Sequence, residues 1–493
     1  MNILGISAGF HDAAVTAIID NEIVFAGHSE RYSKNKHDRN LHPDLIKDAL
    51  GYIGHVDQIA YYERPWSKFT RQLYAGQYHD AFHPYKLNKE LSKLGLGKIP
   101  IKTFPHHLSH AAAGFQTSPF KEATVVVIDA IGEWETITIW SAGYDSKGRA
   151  KYKKLWSQKY PHSIGLMYSA FTKEAGLKPL DEEYILMGMA AWGNKDPVNQ
   201  IRIQQTLIEN ASDVLFKHNL HIGLPDEVFR PENVMDMAAT VQEITEDITA
   251  NIMLKAMDKG TSKNIVYMGG VALNCKVNSI IGEYFDDIWI MPNPGDAGSS
   301  LGAAALAYGH RLNWRNAYLG HNIEGAYPTV EIISELLENK IVGVASGRAE
   351  FGPRALGNRS LLADPRGSEI KDLVNEIKRR QKFRPFAPAI LSELAHEYFD
   401  MPRSWNSSNY MQVVARCKNP EQFPAICHVD QTSRVQTVPN DGSGFRQLLE
   451  RWYVWTGCPM LLNTSLNIRG EPMVNDRADA DRFEREYGVR VVS

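Results

Sequence analysis

Residues 123–142 read ATVVVIDAIGEWETITIWSA. An apolar run rich in β-branched residues meets an acidic turn holding Asp129, Gly132 and Glu133, and an alternating run follows. This is the pattern of a strand, a tight turn and a second strand. The same plan stands at the N-terminus. NILGISA at 2–8 and AAVTAIIDNEIVFAG at 13–27 read as strands, with Gly9, His11 and Asp12 in the first turn and a further turn at Asp20-Asn21.

Two strand–turn–strand units that each bring an acidic, glycine-containing turn toward one cleft suggest an α/β domain of the actin/hexokinase/Hsp70-like (ASKHA) nucleotide fold. There, two such hairpins grip a nucleotide's phosphates from opposite sides, and Gly132 would lie against them. Two ordinary hairpins explain the spacing equally well. Further along, 165–192 reads as a helix, a loop and a tightly packed segment, and 233–258 has helical periodicity. IVYMGGVALNCKVN at 265–278 reads as a buried strand entering Gly269-Gly270 and then a helix. WIMPNPGDAGSSLGAAALAYG at 289–309 repeats that plan, with Asp296 in the glycine-rich turn. A glycine-rich turn opening a helix offers backbone N–H groups to an anion. Close helix packing would call for the same glycines.

Between the two hairpin units lies FPHHLSHAAAGF, residues 104–115. Pro105 suits the start of a helix, and Leu108 and Ala111 to Ala113 favour its continuation. On that helix His106 and His110 share a face one turn apart, and His107 points about 100° away. Two imidazoles so placed can hold one divalent metal. A helix that merely carries three histidines is the plainer alternative, and HExxH, the zincin signature, is absent.

At 493 residues the chain is too long for one ordinary core, so two domains are expected. A formal net charge of -3 gives no general attraction to nucleic acid or to an anionic membrane. No apolar run reaches the ~20 residues of a membrane helix, and MNILGISAGF lacks the basic start and apolar core of a signal peptide. Cys275, Cys417, Cys427 and Cys458 show no CxxC pairing, which argues against a disulfide framework or structural zinc and for a reducing cytoplasm.

Residues 310–340 read as a connector with a helix at 329–339, and the strand IVGVA at 341–345 opens a second domain. The predicted domains are 1–335 and 340–493. Cations gather early in the second: Gly352, Arg354, Gly357, Arg359 and Arg366, then Lys378, Arg379, Arg380, Lys382 and Arg384. Residues 368–380 would be a helix, and some of this charge would be a solvated face. Arg354 and Arg359 lie among glycines, however, and Arg384 lies in FRPFAPAI. Charges in such surroundings need partners, which favours a phosphate site. Arg434 follows, and Asn463 and Ser465 could donate to an oxyanion.

Taken together, GISAGFHDAA, SERYSKNKHD, FPHHLSHAAAGF, VVIDAIGEWET, MGGVALN, NPGDAGSSLGAA, FGPRALGNRS, FRPFAPAI, HVD-x-TSRVQTV and NTSLNIRGEP resemble, in this order and over nearly the whole length, the NodU/CmcH O-carbamoyltransferases. The resemblance implies an N-terminal domain similar to the tRNA threonylcarbamoyl transferases (TsaD) and a YrdC-like α/β C-terminal domain. It implies two steps: carbamoyl phosphate and ATP, with its Mg2+, give carbamoyl adenylate, and the carbamoyl group then passes to a hydroxyl of a small-molecule acceptor such as a sugar, an antibiotic or a nucleoside. By the same resemblance His106, His110, Asp129 and Asp296 hold a metal, iron(II) in the family. His11 is the candidate base beside Asp12, and Lys36 lies near the nucleotide phosphates. Gly269, Gly270 and Asn274 fall on the nucleotide motif. Arg354, Lys378, Arg384, Arg434 and Ser465 fall on the carbamoyl phosphate positions. Ile185 stands where relatives often carry lysine, and FEREYGVRVVS ends earlier than in many of them. Two other readings are a threonylcarbamoyl-type transferase acting on tRNA, disfavoured by the charge, and a catalytically dead nucleotide-binding module, which would have damaged these positions. A homodimer is compatible with all three readings.

Overall fold

A computed structural model describes all 493 residues. The chain divides into two compact units, residues 1–33 with 37–315 and residues 34–36 with 316–493.

The first unit is built on two five-stranded sheets of the same design. In the first, Glu22–His28, Ala14–Ile19 and Asn2–Ser7 run antiparallel, and Gln58–Tyr61 and Ile101–Thr103 then add in parallel. In the second, Ala150–Lys159, Glu135–Tyr144 and Glu122–Gly132 are antiparallel, and Asn264–Met268 and Asp287–Trp289 add in parallel. Each sheet's last strand leads to a helix rich in small residues, His106–Phe115 after the first and Ser299–Tyr308 after the second. These helices pack backbone to backbone. A Cβ at Gly302 would lie 1.7 Å from Ser109 O, so only glycine allows the approach. The core strands are almost continuously buried, as NILGIS and TVVVI are, because helices cover both faces of their parallel halves. Both expected hairpins are present, and Val234–Lys259 is the long helix expected at 233–258.

The second unit contains one mixed sheet of eight strands, ordered Phe399–Asp400, Val413–Cys417, Thr432–Val438, Ala387–Leu391, Met460–Ser465, Arg359–Ala363, Ile341–Ala345 and Val491–Val492. Ile332, Leu336, Leu448, Trp452 and Phe483, from the helices Thr329–Asn339, Gly444–Thr456 and Arg477–Tyr487, complete its core. The expected domain break at 335–340 falls inside this unit. Tyr318–Ile323 pairs with Gly347–Glu350, and helix 329–339 buries Ile332 and Ile333 in the same core, so the chain changes units at Arg315 instead.

Candidate functional site

In the first unit, the two helices and the two hairpin turns meet around four buried side chains. His106 and His110 come from one turn of helix His106–Phe115, Asp129 from the end of the second hairpin's first strand, and Asp296 from the turn before helix Ser299–Tyr308. One ligand atom from each falls within 4.8 Å of all the others. His106 Nε2 lies 3.3 Å from both Asp129 Oδ2 and Asp296 Oδ1, and His110 Nε2 lies 3.2 Å from Asp296 Oδ1.

The donor set fits a divalent ion. His110 Nδ1 faces Pro294 O at 3.1 Å, which assigns the proton to that nitrogen and turns the Nε2 lone pair inward. Inward lies His106 Nε2, only 3.0 Å away. Two ring nitrogens that close, flanked by two carboxylates, need a proton or a cation among them. Without a metal the protein supplies protons. Burial opposes a charged His106, but Asp296 and Asp129 outweigh burial and hold its pKa well above the ordinary histidine range. Burial also opposes ionised Asp129, which His106 and His110 nonetheless hold well below the usual carboxylate range. Two imidazoles and two carboxylates suit a borderline divalent metal.

The surrounding residues fix this geometry. Glu133, buried and with φ 59°, accepts from the backbone N–H of His106 at 3.2 Å and from that of Arg64 at 2.7 Å, so a carboxylate holds the start of the histidine helix. Gly132 lets the hairpin reach that helix, since a Cβ there would lie 2.5 Å from Cδ2 of both His106 and His107. His107 faces Thr138 Oγ1 at 3.0 Å, away from the cluster as its helical phase requires. Gly270 N–H donates to Asp129 Oδ1 at 3.1 Å, and a Cβ at Gly269, φ 93°, would lie 2.1 Å from Ile128 O. Asn274 caps the next helix by accepting from the N–H groups of Lys276 and Val277. Ile185 is buried.

His11 stands beside the cluster, its Nε2 3.8 Å from Asp296 Oδ2 and its Nδ1 2.8 Å from Asp12 Oδ2. Burial pulls the His11 pKa down, but Asp296 and Asp12 together raise it to about 9. Beyond it runs a chain of bonds that the sequence did not reveal. Asp12 Oδ1 meets His37 Nδ1 at 2.7 Å, and His37 Nε2 meets Asp181 Oδ1 at 2.9 Å. The KHD segment offered one signal for His37, whereas Asp181 had none. Lys36 is half-buried and belongs to the three residues that group with the second unit.

In the second unit the expected anion residues divide. Arg354, Arg384 and Arg434 are half-buried. Arg434 and Gln436 alternate along one strand and Asn463 and Ser465 along another, so each pair shares a face. Asn463 Nδ2 donates to Ala355 O and to Gln436 Oε1, so its N–H groups are spent within the fold. Lys378 Nζ is buried and donates to Ser465 O, to Asn467 O at 2.8 Å and to Asn467 Oδ1 at 3.0 Å. These bonds hold the 465–467 loop. Burial, with Arg380 and Arg384 nearby, holds the pKa of Lys378 well below the lysine range. Arg359 is likewise structural, donating to the carbonyls of Asn475, Ser346, Gly347, Asn358 and His321.

Residues 68–305 match the model of the carbamoyltransferase N-terminus and residues 333–492 that of the carbamoyltransferase C-terminus. The chain is 33% identical to the uncharacterized protein sll1178 of Synechocystis sp., over 98% of this chain and 94% of that one. It is 30% identical to nodulation protein NolNO of Sinorhizobium fredii, over 95% of this chain and 76% of the other. It is 26% identical to the 3'-hydroxymethylcephem-O-carbamoyltransferase of Amycolatopsis lactamdurans, over 97% and 95%. Among solved structures, HypF of T. kodakarensis aligns at 13% identity and TM-score 0.34, over 62% of this chain and 47% of that one.

Proposed function

The chain belongs to the carbamoyltransferase family and is a carbamoyltransferase, and from that premise we propose that it makes carbamoyl adenylate from carbamoyl phosphate and ATP and transfers the carbamoyl group to a hydroxyl of a small-molecule acceptor. The observation that carries the reading is the buried cluster of His106, His110, Asp129 and Asp296 with His11 at its edge. The duplicated sheets, each with an acidic turn at the cluster, support the actin/hexokinase/Hsp70-like assignment of the first unit. The second unit, where residues 333–492 match the carbamoyltransferase C-terminus, would take the YrdC-like, carbamoyl phosphate-activating role.

In the second unit Arg354, Arg384 and Arg434 would neutralise carbamoyl phosphate and the phosphate that leaves it. Lys378 would keep the 465–467 loop in shape so that Ser465 can contribute. Water would cleave carbamoyl phosphate there into phosphate and carbamate, and the carbamate, itself unstable in bulk water, needs shielding until its oxygen attacks the α-phosphate of ATP, releasing pyrophosphate. ATP enters with Mg2+.

In the first unit His106, His110, Asp129 and Asp296 would hold the metal, iron(II) by the family resemblance. A divalent ion held there would supply Lewis-acid polarisation of a carbamoyl or phosphoryl oxygen. His11 would take the acceptor's proton as the new C–O bond forms and AMP leaves, with Asp12 orienting its ring through Nδ1. A cation held by Asp129 and Asp296 would offset part of the charge that keeps His11 protonated, leaving more of the ring neutral and open to a proton near pH 7. Four buried, unpaired cysteines suit a reducing cytoplasm. No helix is long and apolar enough to cross a membrane.

The test is ATP–pyrophosphate exchange. We expect exchange only with carbamoyl phosphate present, and AMP and a carbamoylated product, identified by mass spectrometry, once a suitable hydroxyl compound is added. Exchange that ignores carbamoyl phosphate would sink the adenylate step.

A further inference from the structure

The two hairpins of the first unit end in matched turns. Each places a left-handed acidic residue two positions before the returning strand, Asp12 (φ 53°) before Ala14–Ile19 and Glu133 (φ 59°) before Glu135–Tyr144. Glu133 uses its carboxylate for the fold. It accepts from the backbone N–H groups of His106 and Arg64 and from the Arg64 guanidinium. Asp12 instead turns its two oxygens to two imidazoles, Oδ2 to His11 Nδ1 at 2.8 Å and Oδ1 to His37 Nδ1 at 2.7 Å.

The His37 ring is not what fastens its own segment. Gly9 N–H donates to Arg39 O at 2.8 Å and Ala13 N–H to Asp38 O at 2.7 Å, so backbone bonds already lay Asp38 and Arg39 along the turn. Glu30 accepts from the His37 backbone N–H at 2.9 Å. The ring itself reaches Asp181, on the link between helices Ile164–Glu174 and Glu183–Met189, with Nε2 2.9 Å from Oδ1. Lys178 Nζ donates to the other Asp181 oxygen at 3.1 Å. Carboxylate oxygens face both nitrogens of His37, so both carry hydrogen and the ring is a cation. A cation gripped on both sides cannot turn without breaking a charge-assisted bond. Asp12, bonded at both oxygens, cannot turn without releasing one of its two histidines.

We propose that His37 and Asp181 are positioning residues for carbamoyl transfer: through Asp12 they hold the His11 ring with Nδ1 turned to the carboxylate and Nε2 turned to the metal-ligand cluster, 3.8 Å from Asp296 Oδ2. His11 needs such a hold. It stands in a turn and its side chain is 27% exposed, so packing alone does not fix the ring. A misplacement of ~1 Å at a reacting group can cost about 10²-fold in rate. A carboxylate behind an imidazole is the arrangement of a Ser-His-Asp triad; here the carboxylate is held in turn by a second imidazole and a second carboxylate. The inference rests on the carbamoyl-transfer reading, in which His11 takes the acceptor's proton, and names the residues that aim the ring.

The test follows carbamoyl phosphate-dependent AMP formation with water as the acceptor and the enzyme in excess of ATP, so that the adenylate stays bound. His37→Leu and Asp181→Leu should each slow it about ten- to a hundredfold. His37→Asn, whose amide N–H can still meet Asp12, should recover part of the loss. In a His11→Asn background His37→Leu should add nothing, because a residue that acts by aiming His11 has nothing left to aim. Downfield proton NMR of the full chain is the second readout. The resonance that His11→Asn removes, from the Nδ1 proton shared with Asp12, should weaken or shift in both leucine variants. Should His37→Leu fail to fold, Asp181→Leu carries the same test from a different element. The proposal is overturned if the His11 resonance is the same in the leucine variants as in wild type. With His11→Asn slow, it is also overturned if the leucine variants form AMP at the wild-type rate, or if His37→Leu slows His11→Asn as much as it slows wild type. If wild type forms no AMP, or His11→Asn forms it as fast, the transfer reading fails and the resonance alone decides whether the ring is held.

Discussion

Asp12 shows how much one residue can carry. Its backbone is left-handed, φ 53°, a conformation that aspartate tolerates better than most residues. From it one carboxylate oxygen reaches His11 and the other reaches His37. His37 is held between Asp12 and Asp181. Burial alone would lower its pKa, but these two bonds raise it to about 10. The sign follows from linkage. A histidine whose folded pKa is raised stabilises the fold fully below its unfolded pKa near 6.5, and that stability is lost as pH rises through about 10. Wild-type protein should therefore lose stability between pH 7 and 10 through His37, and His37→Gln should flatten that part of the curve. Thermal melts of both proteins across this range check it, and parallel curves would reject the assignment. His37 and Asp181 show where sequence reading stops: both are ordinary polar residues until the fold brings them to Asp12. Lys378 and Arg359 show the converse. The glycines around Arg359 marked it as needing partners, and the resemblance put Lys378 at an anion, but what they meet is carbonyl and side-chain oxygen of the same unit, and no sequence pattern tells such a cage from a phosphate.

At the level of elements, the site is set by the crossing of helices His106–Phe115 and Ser299–Tyr308, since they bring the two histidines to Asp296. The crossing depends on Gly302. Gly302→Ala would place a methyl group 1.7 Å from Ser109 O, with backbone on both sides unable to yield. Overpacking of this kind costs about 1–3 kcal/mol or more, so a clear fall in melting temperature is expected. Gly51→Ala is the matching control. It lies on the exposed face of helix Pro43–Ile53 with nothing within 4 Å, and should stabilise by ~0.5–1 kcal/mol. A harmless Gly302→Ala would mean the helices can part without loss. The hairpins, the HxxxH helix and the 329–339 helix were legible because their signals are local: β-branched runs broken by acidic turns, and a proline before small residues. The unit boundary was not, because Tyr318–Ile323 finds its partner strand only across helix 329–339 and strand 341–345. The three helices Pro65–Tyr74, Tyr78–Phe82 and Leu87–Lys93, which connect the fourth and fifth strands of the first sheet, left little such signal beyond Pro65 at the start of the first. None of them has a side-chain N-cap, and two of them have seven residues or fewer.

For the molecule as a whole, the candidate metal ligands and the candidate transfer base lie in one unit and the candidate anion arginines in the other. If the reaction is divided as proposed, its two halves should fail separately. His106→Ala removes one of four ligands and leaves Asp129 and Asp296 with less positive charge between them, so bound metal and acceptor carbamoylation should both be lost. Carbamoyl phosphate-dependent pyrophosphate exchange should persist in that variant, because no residue of the cluster belongs to the second unit. Arg434→Met keeps the length of the side chain and removes the charge. It should abolish exchange, leave metal content at the wild-type level, and still allow transfer when carbamoyl adenylate is supplied directly. Metal analysis, exchange and transfer measured on both proteins form a six-way pattern that a general loss of folding cannot imitate, since each variant must keep what the other loses. Loss of exchange in His106→Ala with its melting temperature unchanged would show that activation needs the metal cluster, and the assignment of one step to each unit would fall.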